Sequence, residues 1–360
     1  MRILMLSWRD MKNPLKGGAE IVTDAYLKGL AERNHDVVLF SSAFDGAAEE
    51  EYNGYKILRK GGKLGVYWHG LIYAKKNENS FDVIIDQVNT IPFFTPLLIK
   101  KEKRIAFFHQ LCLDVWFYET MLPVAAIGFV SELIYLKLYR NTKCIAVSES
   151  TKRDLINHTW NEESNILVLE NQIDFKPVKK PGKKEKSFVF CGRLKKSKRV
   201  EDCINALALL GNNETKLYII GDGDESYKLS LKRLASELKL DGRVIFTGQI
   251  DLKERNKIMS KCIALLGTSV REGWGLIVTE ANANGTVAIT YDVPGLRDSN
   301  KTGFLCEKNE PEIVVKYMEL LLNDENLMLE KSKEGVMSIV EHNNLDDNVE
   351  VFERWANNYQ

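Results

Sequence analysis

Short apolar runs rich in β-branched residues alternate with longer amphipathic stretches along the first half of the chain. The runs are RILMLSW at 2–8, DVVLFSS at 36–42, DVIIDQV at 82–88, KRIAFFHQ at 103–110 and CIAVSES at 144–150. Between the first two lies a predicted helix, 19–34, with Ile21, Ala25, Leu27 and Leu30 on one face. The alternation predicts a parallel sheet with crossover helices, a Rossmann-like domain.

The same alternation restarts after a segment with no apolar face, KPVKKPGKKEK at 176–186. The later runs are SFVFCGR at 187–193, KLYIIGDG at 216–223, RVIFTGQ at 243–249, CIALLGTS at 262–269 and TVAITYD at 286–292. We therefore predict an N-terminal domain at 1–170, a linker at 171–186 and a second Rossmann-like domain at 187–344. A last helix at 345–360 places Val349, Phe352 and Trp355 on one face. A cleft between the domains would receive ligands at the carboxyl ends of the strands.

Composition excludes several classes of protein. Lys plus Arg and Asp plus Glu number 50 each, so no global field favours nucleic acid. The six cysteines lie far apart, mostly within apolar runs, and predict buried thiols in a reducing cytosol. The start, ILML, is too short for a signal peptide, and MLPVAAIGFV at 121–130 is short of the ~20 residues that span a bilayer. We expect no membrane crossing.

The segment REGWGLIVTE, Arg271–Glu280, holds two carboxylates, Glu272 and Glu280, around Gly273 and Gly275. Glycines permit close approach of a ligand, and a helix that begins near Leu276 directs free N–H groups towards a diphosphate. One carboxylate can accept from sugar hydroxyls and the other from a ribose. Taken singly, each is also compatible with a solvated loop acid or an acid at a helix N-terminus.

A basic group follows the strand FVFCG. Arg193 and Lys198 can both reach an anion at the strand end, the first with a planar fork and the second with a mobile point charge. A basic surface turn is the alternative, and it is the preferred interpretation for Lys195, Lys196 and Arg199.

Two weaker candidates lie in the first half. Gly17-Gly18 sits between the first strand and the first helix, but without the Walker lysine or a third glycine it is compatible with a plain turn. His109 ends an apolar strand, where it can contact a hydroxyl or can be structural.

Asp222-Gly223-Asp224 follows KLYIIG and predicts a turn rather than a metal motif. With no cluster at metal spacing, we expect no metal and no cofactor, and Arg193 and Lys198 would stabilise a leaving diphosphate.

Together these segments resemble retaining glycosyltransferase family 4, of the GT-B fold. The resemblance is carried by Glu-x7-Glu in REGWGLIVTEA and, in the family's order, by GGAE, FFHQ, IAVSESTKRDL, FCGRLKKSK, LYIIGDGDES, RVIFTGQI, TGFLCE and the late Trp355. It implies two Rossmann-like domains facing each other across a cleft, with the C-terminal helix crossing back to the N-terminal domain. The N-terminal domain would bind the acceptor and the second domain a nucleotide-sugar donor.

The resemblance also implies residue roles. Arg193 and Lys198 would hold the donor diphosphate with Gly18 and the peptides of Gly275 and Leu276. Glu272 and His109 would act at the transferred sugar, and Glu280 would bind the ribose. The family often has Asn-Gly where this chain has Asn171-Gln172, and glycine at Arg199, which puts both loop conformations in question.

The expected reaction moves a hexose to a glycan or lipid-linked acceptor with retention of the anomeric configuration. A UDP-sugar is the favoured donor, and GDP-mannose is the second choice. The aromatic and aliphatic segment 116–140 suggests peripheral contact with the inner face of a membrane; a helix packed within the N-terminal domain is the alternative. A nucleotide-sugar epimerase of the same fold and a non-catalytic sugar-nucleotide-binding protein remain alternative functions.

Overall fold

The computed structural model describes residues 1–173 and 175–357, which its contacts divide into two compact units. The described part of the first unit comprises residues 1–113, 126–173 and 344–357, and the second unit comprises Asp114–Ala125 and Phe175–Asn343. Each unit is built on its own sheet.

The first sheet has eight strands in the order β3-β4-β2-β1-β5-β6-β7-β8, parallel except for β3. Its strands are β1 Arg2–Leu6, β2 Asp36–Ser41, β3 Glu49–Tyr52, β4 Tyr55–Arg59, β5 Val83–Val88, β6 Arg104–Phe108, β7 Lys143–Ala146 and β8 Ile166–Val168. Leu4 of β1 is in register with Val38 and with Ile84, and all three are buried. The five apolar runs predicted as strands in this half are confirmed, because a parallel sheet covered on both faces needs continuous apolar strands.

The helices of the first half are α1 Gly18–Glu32, α2 Gly65–Lys76, α3 Val115–Glu119, α4 Leu122–Leu136 and α5 Glu149–Thr159, with α13 Leu345–Asn357 at the end of the chain. The predicted inner face of α1 was partly wrong. Ile21 is exposed, and Val22, Tyr26 and Leu30 form the buried stripe at a spacing of four residues. Helix α13 packs on α1, where a Cβ added at Gly29 would lie 2.8 Å from Val349 Cγ2.

The second sheet has six parallel strands in the order β11-β10-β9-β12-β13-β14. They are β9 Glu185–Cys191, β10 Lys216–Ile220, β11 Val244–Gly248, β12 Cys262–Gly267, β13 Val287–Tyr291 and β14 Phe304–Cys306. The helices are α6 Val200–Leu209, α7 Glu225–Glu237, α8 Leu252–Lys261, α9 Leu276–Ala283, α10 Leu296–Ser299, α11 Pro311–Asn323 and α12 Glu325–His342. Both units are thus doubly wound α/β structures, as the alternation predicts.

Helix α4 is longer than the sequence suggested. With the 3₁₀ turn after it, Leu122–Tyr139 is long and apolar enough to cross a membrane, with a mean hydropathy of 1.5 and 28% of that window buried. The acidic residue of this helix, Glu132, is buried and accepts hydrogen bonds from the amides of Cys112 and Leu113, so its charge does not face outward. A single helix of this kind is weak support for a membrane span, because core helices of soluble proteins share its length and composition.

The six cysteines are free, five of them buried and Cys191 half-buried. Of the two positions where the family often has glycine, Gln172 has no positive φ, whereas Arg199 adopts the left-handed conformation with a φ of 47°. The left-handed loop is therefore kept at Arg199 despite the side chain.

Candidate functional site

The second unit brings Glu272 and Lys198 together. The Lys198 ammonium forms an ion pair with Glu272 Oε1, and Ser269 Oγ donates to the same oxygen at 2.7 Å. Both charged side chains are half-buried. The two residues are 74 positions apart in sequence and meet because each lies in the loop after one of the neighbouring parallel strands β9 and β12.

One backbone hydrogen bond and one side-chain hydrogen bond join these two loops. The amide of Val270 donates to Ser197 O at 2.9 Å, and Thr268 Oγ1 donates to Lys198 O at 3.0 Å. The 3₁₀ turn Lys196–Lys198 is therefore attached to the loop that carries Glu272, and the Lys198–Glu272 pair rests on a rigid backbone.

Two glycines shape the loop around Glu272. Gly275 has a φ of 85° and immediately precedes α9, and a Cβ there would lie 2.8 Å from Leu296 Cδ2. Gly295 has a φ of 81°, and a Cβ there would lie 2.3 Å from Glu272 O. The Glu272 amide also donates to Pro294 O at 3.0 Å. The turn that ends at Gly295 thus supports the backbone of Glu272, and only glycine permits this contact.

The basic neighbours of Lys198 have structural partners. Lys195 pairs with Glu119 at 2.9 Å, and Arg199 pairs with Asp202 at 2.7 Å. Arg199 also lies 5.1 Å from the centre of the Tyr291 ring. These contacts offset the strain of its left-handed backbone and agree with the interpretation of both residues as structural. Arg193 is exposed directly after β9.

Glu280 is held in the second turn of α9 by a residue that the sequence did not indicate. Its Oε1 accepts from Arg255 Nη2 of α8 at 2.7 Å. Burial raises the pKa of Glu280, and Arg255 opposes this shift through its charge and its hydrogen bond. Glu280 is therefore a half-buried acceptor whose charged form Arg255 favours.

The turn 222–224 has local roles. Asp224 caps α7 by accepting from the Tyr227 amide at 3.0 Å, and Asp222 pairs with Lys228 at 2.8 Å. Across the described residues, 1–173 and 175–357, His, Cys, Asp and Glu form no group of three or more that could hold a metal ion.

In the first unit, Gly18 is the first residue of α1. The preceding amide, Gly17 N, donates to Glu20 Oε2 at 2.5 Å, and Arg9 Nε donates to Glu20 Oε1 at 3.2 Å. Arg9 and Glu20 are both buried. The glycine turn at the start of α1 is thus already satisfied by a carboxylate, whose charge Arg9 balances.

His109 follows β6 in the first unit and is buried. Its ring stacks on Phe107, with centroids 4.7 Å apart, and Gln87 Nε2 lies 2.7 Å from its Nε2 atom. Burial lowers the pKa of His109 to about 4, so the imidazole is neutral at physiological pH.

The structure thus brings together Glu272 and Lys198, with Gly275, Leu276, Arg193 and Glu280 on adjoining loops and helices of the same unit. Gly18 and His109 lie in the other unit. Five supporting residues were not predicted from the sequence: Ser269, Gly295, Arg255, Glu119 and Gln87. Only Gly295 carried a signal, the Pro-Gly pair at 294–295 directly before a helix.

Two family descriptions match adjacent parts of the chain. Residues 16–176 match Glycosyltransferase Family 4, and residues 171–335 match Glycosyl transferases group 1. The chain is 33% identical over 159 residues to N-acetyl-alpha-D-glucosaminyl L-malate synthase of Bacillus anthracis, covering 42% of this chain and 41% of that protein. It is 26% identical over 174 residues to the O-antigen chain mannosyltransferase RfbU of Salmonella typhimurium, covering 48% of each. The chain thus matches less than half the length of either relative.

Similarity over nearly the whole length comes from solved structures. Sucrose-phosphate synthase of Thermosynechococcus elongatus has a TM-score of 0.79 at 17% identity, covering 99% of this chain and 98% of that one. Anabaena Alr3699/HepE in complex with UDP-glucose has a TM-score of 0.74 at 17% identity, covering 99% and 100%. At this identity the likeness concerns the fold. With the two family matches spanning 16–335, the chain belongs to the group 1, family 4 type of glycosyltransferases and has the GT-B fold.

Proposed function

We propose that this glycosyltransferase moves a hexose, with retention of configuration and without a metal, from a nucleotide-diphosphate sugar to a glycan or lipid-linked acceptor. The observation that carries the proposal is the Lys198–Glu272 pair beside the N-terminus of α9, whose two loops are joined by hydrogen bonds from the Val270 amide and the Thr268 hydroxyl. A cation, a carboxylate and a helix N-terminus are the groups that a diphosphate and a sugar require.

The proposed diphosphate site of the second unit consists of Arg193, Lys198 and the peptides of Gly275 and Leu276. Gly18, for which the resemblance also implies a phosphate contact, belongs to the first unit. Lys198 has three N–H donors, so it can bind an anion while it remains bound to Glu272. The positive end of the α9 dipole adds to the attraction, and Gly275 has no side chain to obstruct it. These groups can stabilise the charge that develops on the leaving diphosphate, which supports chemistry without a metal.

We assign the sugar contacts to Glu272 and His109, and the ribose contact to Glu280. A carboxylate held by Ser269 and Lys198 can accept from a sugar hydroxyl without reorganising. Retention would follow from departure of the diphosphate and attack on the same face through an oxocarbenium-like state. The UDP-glucose in the HepE structure and the mannosyl transfer named for RfbU motivate UDP-sugars as first choice and GDP-mannose as second. We keep 1–170 as the acceptor-binding domain and 187–344 as the donor-binding domain in this proposal.

Donor binding can be tested by calorimetric titration with UDP and GDP. In Arg193→Ala we expect affinity about 10- to 100-fold weaker, because a charge-assisted hydrogen bond contributes ~1.5–3 kcal/mol. Lys196→Ala is the matched control, since it removes an exposed cation from the same loop. Equal affinity in the two variants would refute the assignment of Arg193. Analysis of the products formed without acceptor separates transfer from epimerisation.

The acceptor proposal rests on the outer face of α4 and the turn that follows. Ile127, Val130, Ile134 and Leu138 are exposed at spacings of three and four residues and form one apolar stripe. Lys137 lies 4.5 Å from the Trp160 ring centre beside this stripe, a pairing of cation and aromatic that suits the headgroup region. The opposite side of the helix, with Tyr135 and Tyr139, belongs to the core of the first unit.

We therefore propose that the enzyme is cytoplasmic and touches the inner face of the membrane through the apolar stripe, within segment 116–140. Flotation with anionic and neutral vesicles tests this, with Ile134→Glu expected to reduce binding. Val340→Glu is the matched control, because Val340 is an equally exposed aliphatic residue on α12. Absence of wild-type binding to either vesicle would refute the membrane contact and leave the donor site untouched.

A further inference from the structure

A chain of hydrogen bonds in the first unit connects α1 to His109. Thr23 Oγ1 of α1 donates to Ala19 O at 2.8 Å. Gln87 Nε2 of β5 contacts both Thr23 Oγ1 and His109 Nε2, the latter at 2.7 Å. Thr23, Gln87 and His109 are all buried, so the chain is shielded from exchange with bulk water.

The direction of each bond follows from chemistry. A carbonyl oxygen only accepts, so the Thr23 hydroxyl must donate its proton to Ala19 O. Its oxygen can then only accept from Gln87, which requires the NH₂ end of the amide to face Thr23. The other proton of the same NH₂ group points to His109 Nε2, which must therefore be the unprotonated nitrogen of a neutral ring.

We infer that Thr23 and Gln87 are positioning residues that hold His109 as the Nδ1–H tautomer, so that His109 presents a hydrogen-bond donor rather than a base. Nδ1 has no hydrogen-bond partner within residues 1–173 and 175–357, and His109 retains 6% of its surface exposed. The contact of the Nδ1–H group with a hydroxyl or ring oxygen of the transferred sugar rests on the proposed function. The tautomer of His109 does not depend on it.

Burial keeps the His109 ring neutral, as this tautomer requires. It lowers the pKa of His109 to about 4, which keeps the ring neutral where the tautomer matters. Stacking on Phe107 fixes the ring plane, and a ring flipped by 180° within that plane would place carbon Cε1 instead of Nε2 at Gln87 and lose this hydrogen bond.

The tautomer can be read by ¹⁵N NMR of the full-length protein at about pH 8. The chain has five histidines, and His109→Gln assigns the signal. His69 and His342 serve as internal references, because their Nδ1 atoms lie 2.8 and 3.0 Å from carbonyl oxygens and must carry a proton when neutral. We expect the same protonation pattern for His109. A proton on Nε2 in the wild-type protein would overturn the inference, whatever the enzyme's activity.

Variants test the roles of Thr23 and Gln87. Thr23→Val removes the hydroxyl at nearly constant shape and should yield a mixture of tautomers, whereas Thr23→Ser should restore the wild-type spectrum. Gln87→Glu places an acceptor at Nε2 and should move the proton there and raise the pKa of His109. An unchanged tautomer in both Thr23→Val and Gln87→Glu would refute their positioning role.

Kinetics test the use of the donor. If Nδ1–H contacts the sugar, Thr23→Val and Gln87→Glu should lower kcat for donor hydrolysis about tenfold, since one hydrogen bond is lost, and Thr23→Ser should recover it. If the tautomer of His109 changes in these variants as expected but kcat does not, the contact with the sugar is refuted, while the role of Thr23 and Gln87 in positioning His109 stands. A wild-type protein without any turnover would refute the proposed function, while the NMR result would still decide the tautomer.

Discussion

The contact between Gly295 and the backbone of Glu272 gives the sharpest structural prediction. In Gly295→Ala the new Cβ would lie 2.3 Å from Glu272 O, 2.5 Å from its carbonyl carbon and 2.8 Å from its Cβ. The left-handed φ of 81° costs alanine ~1.5 kcal/mol, and overpacking against backbone adds ~1–3 kcal/mol. We therefore expect a loss of about 3 kcal/mol, or roughly 6–12 °C in Tm for a domain of this size.

Two controls separate strain from contact. Gly242 has a φ of 74° and nothing within 4 Å of the position that a Cβ would take, so Gly242→Ala should cost only the strain, ~1.5 kcal/mol. Gly182 has ordinary φ and equally open surroundings, so Gly182→Ala should be neutral or stabilising by ~0.4–1 kcal/mol. All three positions lie in the second unit.

The assay combines thermal unfolding with turnover of UDP-glucose. Because Glu272 must move to admit the methyl group, we expect Gly295→Ala to lose roughly 100-fold in turnover of the folded enzyme, while both controls stay near wild type. If Gly295→Ala and Gly242→Ala matched in Tm and in turnover, the idea that Gly295 positions Glu272 would be wrong.

Three further predictions concern ionisable groups that are buried or half-buried. Arg59→Met should destabilise the protein by ~3–5 kcal/mol in urea unfolding, because the buried Asp10 loses a partner at 2.8 Å. Burial alone would raise the pKa of Asp10, but hydrogen bonds, chiefly from Arg59, hold this pKa below 3.8. The stabilisation is therefore present at neutral pH and lost in acid. Arg255→Met should raise the already raised pKa of Glu280 further, so that UDP affinity measured by calorimetry falls more steeply than in wild type as pH is lowered. The pKa of His109 is about 4 in the folded protein against an ordinary value of 6.5. Its contribution to stability is therefore complete above about pH 6.5 and falls by about 3 kcal/mol towards pH 4. In His109→Gln this contribution to the pH dependence of the free energy of unfolding should disappear.

The alternation of apolar runs was sufficient to predict the ten main strands and the doubly wound class, because a strand buried on both faces is apolar throughout. The edge hairpin β3–β4 was missed. Strand β3, EEEY, is polar and half-exposed, and β4, YKILR, is largely buried but carries two cations among its five residues. Asn53-Gly54 between them, with φ of 47° and 84°, is a strong hairpin signal.

Site residues were predictable from the sequence where a reactive residue type directly follows a strand. Residues that support them from a distant part of the sequence were not predictable. Lys198 and Glu272 were selected because each follows a strand in a glycine-containing loop. Arg255 lies in an amphipathic helix with several other charges, and nothing in its local sequence marks it as the partner of Glu280. Such pairs are set by how α8 and α9 pack, which periodicity does not specify.

The direction of the α1 stripe shows the same limit. The spacing of Ile21, Ala25, Leu27 and Leu30 fits a helix face. Leu27 and Leu30 are indeed buried, but Ile21 is exposed, and Val22 and Tyr26 complete the buried face. Both sets have helical periodicity, and the choice depends on which face meets the sheet and α13.

We propose that the Lys198–Glu272 pair of the second unit acts in sugar transfer. The decisive experiment measures the release of UDP from UDP-glucose, or of GDP from GDP-mannose, by wild type, Glu272→Gln and Lys196→Ala at equal folded concentration. We expect wild type and Lys196→Ala to turn over at similar rates and Glu272→Gln to fall by roughly 100- to 1,000-fold with its Tm preserved. Turnover by Glu272→Gln at the wild-type rate would contradict the account.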